Sequence, residues 1–287
     1  MNSSWIKITR HDKHVTMDIS ARKESIDADF DLSVKNYIDR IVATYPAPFT
    51  IFATGGVDSQ AVIQMWLKSG HKFNVVSVRF KNNFNEHDLK TLQEFSKQFD
   101  VDVRYIDFDI VDFLENRLEH YVLKYRCSSP QICAHMAFNE LVPEGTAIFS
   151  GNIPYTSLDF TIELLPLYTY RDITRPAFIP FFLMEDKDIA GACMREGFKI
   201  IKNYTGMDDY EKKCTLYNHI GLPVIPQQEK LSGFEKLKEY YQLQQHLVSR
   251  QLRLKYSGQP SKWVFDIFFR YRWYGMIGTP KHLEFIF

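Results

Sequence analysis

Residues 51–59 read Ile51-Phe52-Ala53-Thr54-Gly55-Gly56-Val57-Asp58-Ser59, an apolar run that breaks into two glycines, then an aspartate and a serine. The run Phe49–Ala53 predicts a short buried strand. The spacing of Ala61, Val62, Met65 and Trp66 predicts a helix starting near Asp58. Glycines at such a junction let backbone N–H groups turn toward a ligand with no Cβ in the way. The helix N-terminus behind them carries partial positive charge and unpaired donors, which suits a phosphate. Thr54 and Ser59 add hydroxyl donors, and Asp58 can orient the loop or help hold a metal. A tight turn with no ligand would use the same two glycines. The strand before them and the helix after them favour the phosphate.

Outward from this loop, strands alternate with helices. Asp31–Tyr45 is a predicted helix ended by Pro46 and Pro48, and Phe73–Phe80 a second strand. Glu86–Phe99 follows as a helix and Val101–Phe108 as a third strand. Residues Ile110–Tyr125 and Ser129–Val142 are predicted helices, and Thr146–Ser150 a fourth strand. This order predicts an α/β fold, a mostly parallel sheet with helices on both faces. Ligands in such sheets sit beyond the carboxyl ends of the strands, where the glycine loop lies. Two alternating segments in residues 5–19 predict a β-hairpin ahead of this domain, and Glu229–Tyr256 reads as a long polar helix after it. The expected organisation is a hairpin over 1–30, a nucleotide-binding domain over 31–225 and a helical, aromatic-rich extension over 226–287.

The loop lacks the lysine of a Walker A motif, and the chain has no Gly-x-Gly-x-x-Gly fingerprint. Thr54-Gly55-Gly56-Val57-Asp58-Ser59 resembles the Ser/Thr-Gly-Gly-x-Asp-Ser pyrophosphate loop of the PP-loop ATP pyrophosphatase superfamily, the adenine nucleotide alpha hydrolase-like enzymes. In style it is closest to 7-cyano-7-deazaguanine synthase and the synthase domain of asparagine synthetase. The resemblance implies cleavage of ATP between its α and β phosphates, with AMP passed to a substrate oxygen. It implies catalytic or phosphate-binding roles for Thr54 through Ser59, and adenine pairing by the backbone of Val78, Arg79 and Phe80. Arg79 can face phosphate or solvent. It also points to Gly151 after the fourth strand, with Asp159 close behind. Magnesium takes oxygen ligands and bridges substrate phosphates through one or two carboxylates, so Asp58 and Asp159 are its candidate ligands.

The family's later lysine slot, counted from Pro180, holds Asp186, and Lys187 comes one residue late. Either the segment is one residue longer, or its cationic role has passed to Arg171 or Arg175. Arg175 is the favoured catalytic cation, since arginine suits bidentate phosphate contact. Cys127-x5-Cys133-x-His135 lacks ordinary zinc spacing. A thiolase or phosphosulfate reductase would need two cysteines brought together, with Cys127 and Cys214 as candidates. Ser128-Ser129-Pro130 opens a helix that could grip an anionic substrate, with Arg126 and His135 beside it.

The 287 residues carry 35 basic and 35 acidic side chains, so no overall field draws the chain to nucleic acid or an anionic membrane. No segment approaches the ~18 apolar residues of a spanning helix, and the chain is expected to be cytoplasmic. Residues 263–274 hold seven aromatics interleaved with Arg270 and Arg272. Such a segment can stack on single-stranded nucleic acid; packing on the domain, or on a second copy in a homo-oligomer, is the favoured expectation. The sequence therefore predicts an ATP- and magnesium-dependent adenylating ligase or synthase acting on an unidentified small molecule or nucleobase. Ammonia would come from solution or a separate glutaminase. A sulfur-transfer enzyme and a non-catalytic nucleotide-binding protein are the alternatives.

Overall fold

The computed structural model describes residues 6–10, 15–19, 29–118, 120–121, 130–151, 177–179, 182–200, 205–227, 233–234 and 236–237. Strands β1 (Ile6–Arg10) and β2 (Val15–Ile19) pair antiparallel, with Ile6 opposite Ile19. Helix α1 (Phe30–Thr44) leads into β3 (Phe49–Phe52), and β3 runs through the glycine loop into α2 (Val57–Ser69). After these come β4 (Asn74–Phe80), α3 (Glu86–Phe99) and β5 (Val103–Phe108). Next are α4 (Pro130–Glu140), β6 (Thr146–Phe149), β7 (Phe178–Ile179), α5 (Lys187–Lys199) and α6 (Asp209–His219).

Strands β3 to β7 form one sheet in the order β5-β4-β3-β6-β7, and every pairing in it is parallel. The α/β class expected from the alternation is the one observed. Each face carries its own core. On one face, Ile51, Ile63, Met65 and Trp66 pack with residues of α1, α3, α5 and α6. On the other, Phe52, Val76, Phe80 and Phe108 meet α4 through Cys133, Ala134 and Phe138. Burying a residue such as Ile51 or Ile63 contributes roughly 1.5–3 kcal/mol relative to exposure. Helix α2 is buried from Val57 to Trp66 apart from Asp58, because the sheet covers one side and α1 and α6 approach the other.

The helix expected over Ile110–Tyr125 starts at Ile110, and within it Phe113–Arg117 widens into a π turn. Helix α6 stands over 209–219, a stretch for which no element is predicted above. Among the described residues, no helix is long and apolar enough to cross a membrane. The aromatic segment 263–274 and nearly all of the expected Glu229–Tyr256 helix lie outside the described residues.

Candidate functional site

The strand order fixes where a ligand can sit. From β3 the chain moves outward to β4 and β5, then returns to place β6 on the other side of β3. The connections after β3 and β6 therefore diverge, leaving a crevice beyond their carboxyl ends. The glycine loop follows β3 into this crevice, and Gly151, half-buried with φ +68°, follows β6. Phe52 and Phe149, the last residues of the two strands, stack 4.6 Å apart beneath it.

The two glycines do different work. Gly55 has φ +86°, and a Cβ there would stand 2.0 Å from the backbone oxygen of Asp88. Position 55 thus requires glycine on two separate grounds. Gly56 has φ −65° and is the N-cap of α2, and a Cβ on it would meet only Thr54 Oγ1, at 3.4 Å. Ser59, 2 % exposed, knits the turn: its hydroxyl donates to Gly56 O at 2.8 Å and accepts from Thr54 N at 3.3 Å. Thr54 is exposed at the mouth. The amides of Val57 and Asp58 open the helix, where backbone donors have no intrahelical acceptor.

Asp58 is gripped by α6. Lys213 Nζ donates to Asp58 Oδ2 at 2.9 Å, and the Tyr217 hydroxyl donates to Oδ1. Four residues apart, Lys213 and Tyr217 share one face of α6. Burial and the Asp58 carboxylate push the Tyr217 phenol well above its ordinary range, so it stays a donor. Lys213 is a cation at the glycine loop that the sequence did not single out. The signal that could have found its helix is a capping box: Asp208 Oδ1 accepts from Glu211 N at 2.8 Å, and Glu211 Oε2 accepts from Asp208 N at 2.9 Å.

The chain after α6 runs across the start of α2. Gln60 Nε2 donates to Gly55 O at 2.8 Å and Ile225 O at 2.9 Å, and Gln60 Oε1 accepts from Ile225 N at 2.7 Å. Gln64 donates to Pro223 O. Gln227 N donates to Tyr210 Oη at 2.6 Å, and the Gln227 side chain bonds Asp88.

At the end of β4 the backbone is engaged within the protein. Asn85 Nδ2 donates to Val78 O at 2.8 Å, and Asn85 Oδ1 accepts from Phe80 N at 2.9 Å. Gly233 lies against Asn85 and Phe80, where a Cβ would come within 2.7 Å of Asn85 Cβ, and the Phe234 ring meets Phe80 edge-on at 5.6 Å. Within the stretch assigned by resemblance to adenine, Asn85 thus engages two backbone groups, Val78 O and Phe80 N. Arg79 is exposed and pairs with Asp107 of β5.

Asp186 acts as the N-cap of α5, accepting from Asp188 N at 2.9 Å and Ile189 N at 3.0 Å, and it pairs with Arg40 of α1. The residue in the family's lysine slot is therefore a helix cap, with Lys187 directly after it. Asp159, Arg171, Arg175, Arg126, Cys127 and Ser128–Ser129 lie outside the described residues.

Of the two candidate magnesium ligands, Asp58 is among the described residues and Asp159 is not. Asp58 is the carboxylate at the loop, and its two oxygens accept from Tyr217 and Lys213. No group of three or more metal-ligating side chains occurs among the described residues. The Cys214 thiol is pushed up to about 11 by burial, with Asp58 and Asp208 adding to the effect, and burial raises Cys193 further. Both are protonated, inert thiols at neutral pH. Burial lowers His135 to about 4, so at neutral pH its imidazole is uncharged in the ligand-free protein. It packs against Phe149 at 5.6 Å, beside the crevice.

No protein-family model matches this chain, and no curated protein does. Among solved structures, it is similar to the U34-tRNA thiolase NcsA of Methanococcus maripaludis, determined with its [4Fe-4S] cluster: TM-score 0.41, 12% identity, covering 90% of this chain and 82% of that one. It is also similar to NMN synthetase from Francisella tularensis: TM-score 0.36, 13% identity, covering 76% of this chain and 93% of that one. Likenesses this distant add no weight to either neighbour's activity here.

Proposed function

We propose that this chain is an ATP-dependent adenylating enzyme that converts ATP to AMP and pyrophosphate. The observation that carries the reading is the glycine loop itself. It stands in the crevice between β3 and β6, with the amides of Gly56, Val57 and Asp58 at a helix N-terminus and the Lys213 ammonium 2.9 Å from Asp58. That set of donors suits a pyrophosphoryl group.

In this reading a carboxylate, amide or carbonyl oxygen of the substrate attacks the α phosphorus. The bond from that phosphorus to its bridging oxygen breaks, and the electron pair leaves with pyrophosphate. The acceptor is left carrying AMP, ready for displacement by a second nucleophile. The loop amides and Lys213 meet the charge that grows on the leaving pyrophosphate, where fixed donors contribute most. Asp58 holds Lys213 at the loop until phosphate competes for it. Arg175 remains a second proposed cation. Burial raises the Cys214 thiol to about 11, which disfavours it as a sulfur nucleophile.

The test is ATP binding followed by turnover. A ligand that binds only the folded state stabilises it by RT ln(1 + [L]/Kd), about 2.7 kcal/mol at ~100 Kd. ATP should raise the melting temperature, and a panel of carboxylic acids and nucleobases should then be screened for pyrophosphate release. A well-folded protein with no ATP-dependent shift sinks the reading.

A further inference from the structure

A pair of adjacent glycines is a poor platform for aiming an amide, because neither carries a Cβ to resist rotation of the peptide between them. The peptide joining Gly55 and Gly56 is planar and trans, so its carbonyl and its N–H point in opposite directions. Whichever group holds the Gly55 carbonyl therefore decides where the Gly56 N–H points. That group is Gln60, whose Nε2 donates to Gly55 O at 2.8 Å. On the opposite side, the Gly56 N–H meets Thr54 Oγ1 at 3.4 Å, a long bond that a phosphate oxygen can replace.

The carboxamide of Gln60 is itself locked. Its second Nε2 proton goes to Ile225 O at 2.9 Å and its Oε1 receives Ile225 N–H at 2.7 Å, a two-point pairing with a single residue's backbone. Gln60 is 0 % exposed, so no water can take over these bonds, and losing them would strand a buried carbonyl. A flipped peptide would present the Gly55 carbonyl, and not an amide, to a phosphate.

We propose that Gln60 is a positioning residue of the phosphate site, holding the Gly55–Gly56 peptide with its N–H turned to the ligand while the backbone of Ile225 holds Gln60. This inference rests on the phosphate-loop reading above and deepens it. The chain following α6 thereby becomes part of the site although it contributes no side chain to the phosphate.

The experiment compares Gln60→Met, similar in length but without hydrogen bonds, with Gln64→Met, which cuts only the bond to Pro223 O. Binding of inorganic pyrophosphate and of ATP is measured by calorimetry, and the Gly56 amide is followed by NMR on glycine-labelled protein. Gln60→Met should weaken both ligands about 10-fold or more, the scale of one hydrogen bond to a charged group, and the Gly56 resonance should no longer move on titration. Gln64→Met should keep both affinities within about twofold. A folded Gln60→Met protein that binds like wild type overturns the inference, as do equal losses in the two variants. Should neither variant fold, wild type decides: pyrophosphate must move the Gly56 amide, and an unmoved Gly56 beside shifted Val57 and Asp58 amides overturns the proposal. Wild type that binds neither probe overturns the phosphate reading and this inference together, a result distinct from the others.

Discussion

Lys213 Nζ stands 2.9 Å from Asp58 Oδ2, with the two side chains 15% and 19% exposed. The pair joins a helix late in the chain to the first turn after the glycine loop. Such a cation has two roles that mutation can separate, support of a half-buried carboxylate and attraction of phosphate.

Lys213→Met should lower ATP-dependent pyrophosphate release by about 10²-fold, the scale of losing one transition-state donor. It should also cost stability, because removing one partner leaves the other charge uncompensated. Asp58→Asn combined with Lys213→Met should recover stability without recovering turnover. Melting curves and pyrophosphate assays on the three proteins check this. Full turnover in a folded Lys213→Met protein would remove Lys213 from the mechanism and leave Arg175 as the cation to test.

The two loop glycines should respond oppositely to alanine. Gly55→Ala places a Cβ 2.0 Å from Asp88 O at a φ of +86°, so it should destabilise by about 3 kcal/mol or more, left-handed strain and clash together. Gly56→Ala meets only Thr54 Oγ1 at 3.4 Å and should change stability by less than about 0.5 kcal/mol, while weakening ATP binding. Urea unfolding separates the two, and equal destabilisation would contradict the loop geometry described above.

The loop and its flanks are legible in the sequence because their signals are local. An apolar run, a glycine pair and a helical repeat lie within twenty residues, and α3 was expected with the bounds it has, Glu86–Phe99. What the sequence hides is the long-range pairing. Helix α6 buries only Cys214, Leu216 and Tyr217, too few to mark an apolar face, and its contact with Asp58 spans 155 residues. Gln60 and Gln64 are polar residues, yet both are buried against a backbone more than 150 residues away. Asn85 is the N-cap residue of α3, but its carboxamide pairs with the backbone of β4 and not with the helix. Periodicity reports which face is apolar; it cannot report a buried polar side chain whose partner is distant backbone.

Cys214 lies one residue from Lys213 but should take no part in chemistry. Its thiol, pushed up to about 11, is almost wholly protonated at pH 7. Cys214→Ser should leave pyrophosphate release within about twofold of wild type, and iodoacetamide should modify Cys214 slowly in the native protein. A persulfide on Cys214 during turnover, or loss of turnover in the folded serine variant, would reverse this and favour sulfur transfer.

His135 should make stability depend on pH in a defined window. Burial lowers its folded pKa from 6.5 to about 4, so between those values the unfolded chain binds more protons than the folded one. Unfolding free energy then rises with pH across that interval. The contribution is fully present above about pH 6.5 and is lost as pH falls toward 4. Urea midpoints measured every half unit from pH 4.5 to 7.5 should climb in wild type. His135→Phe keeps an aromatic ring against Phe149 and has no proton to bind, so its profile should be flatter over that range. Parallel profiles for the two proteins would mean that His135 titrates alike in both states, and that the ring is not desolvated beside the crevice.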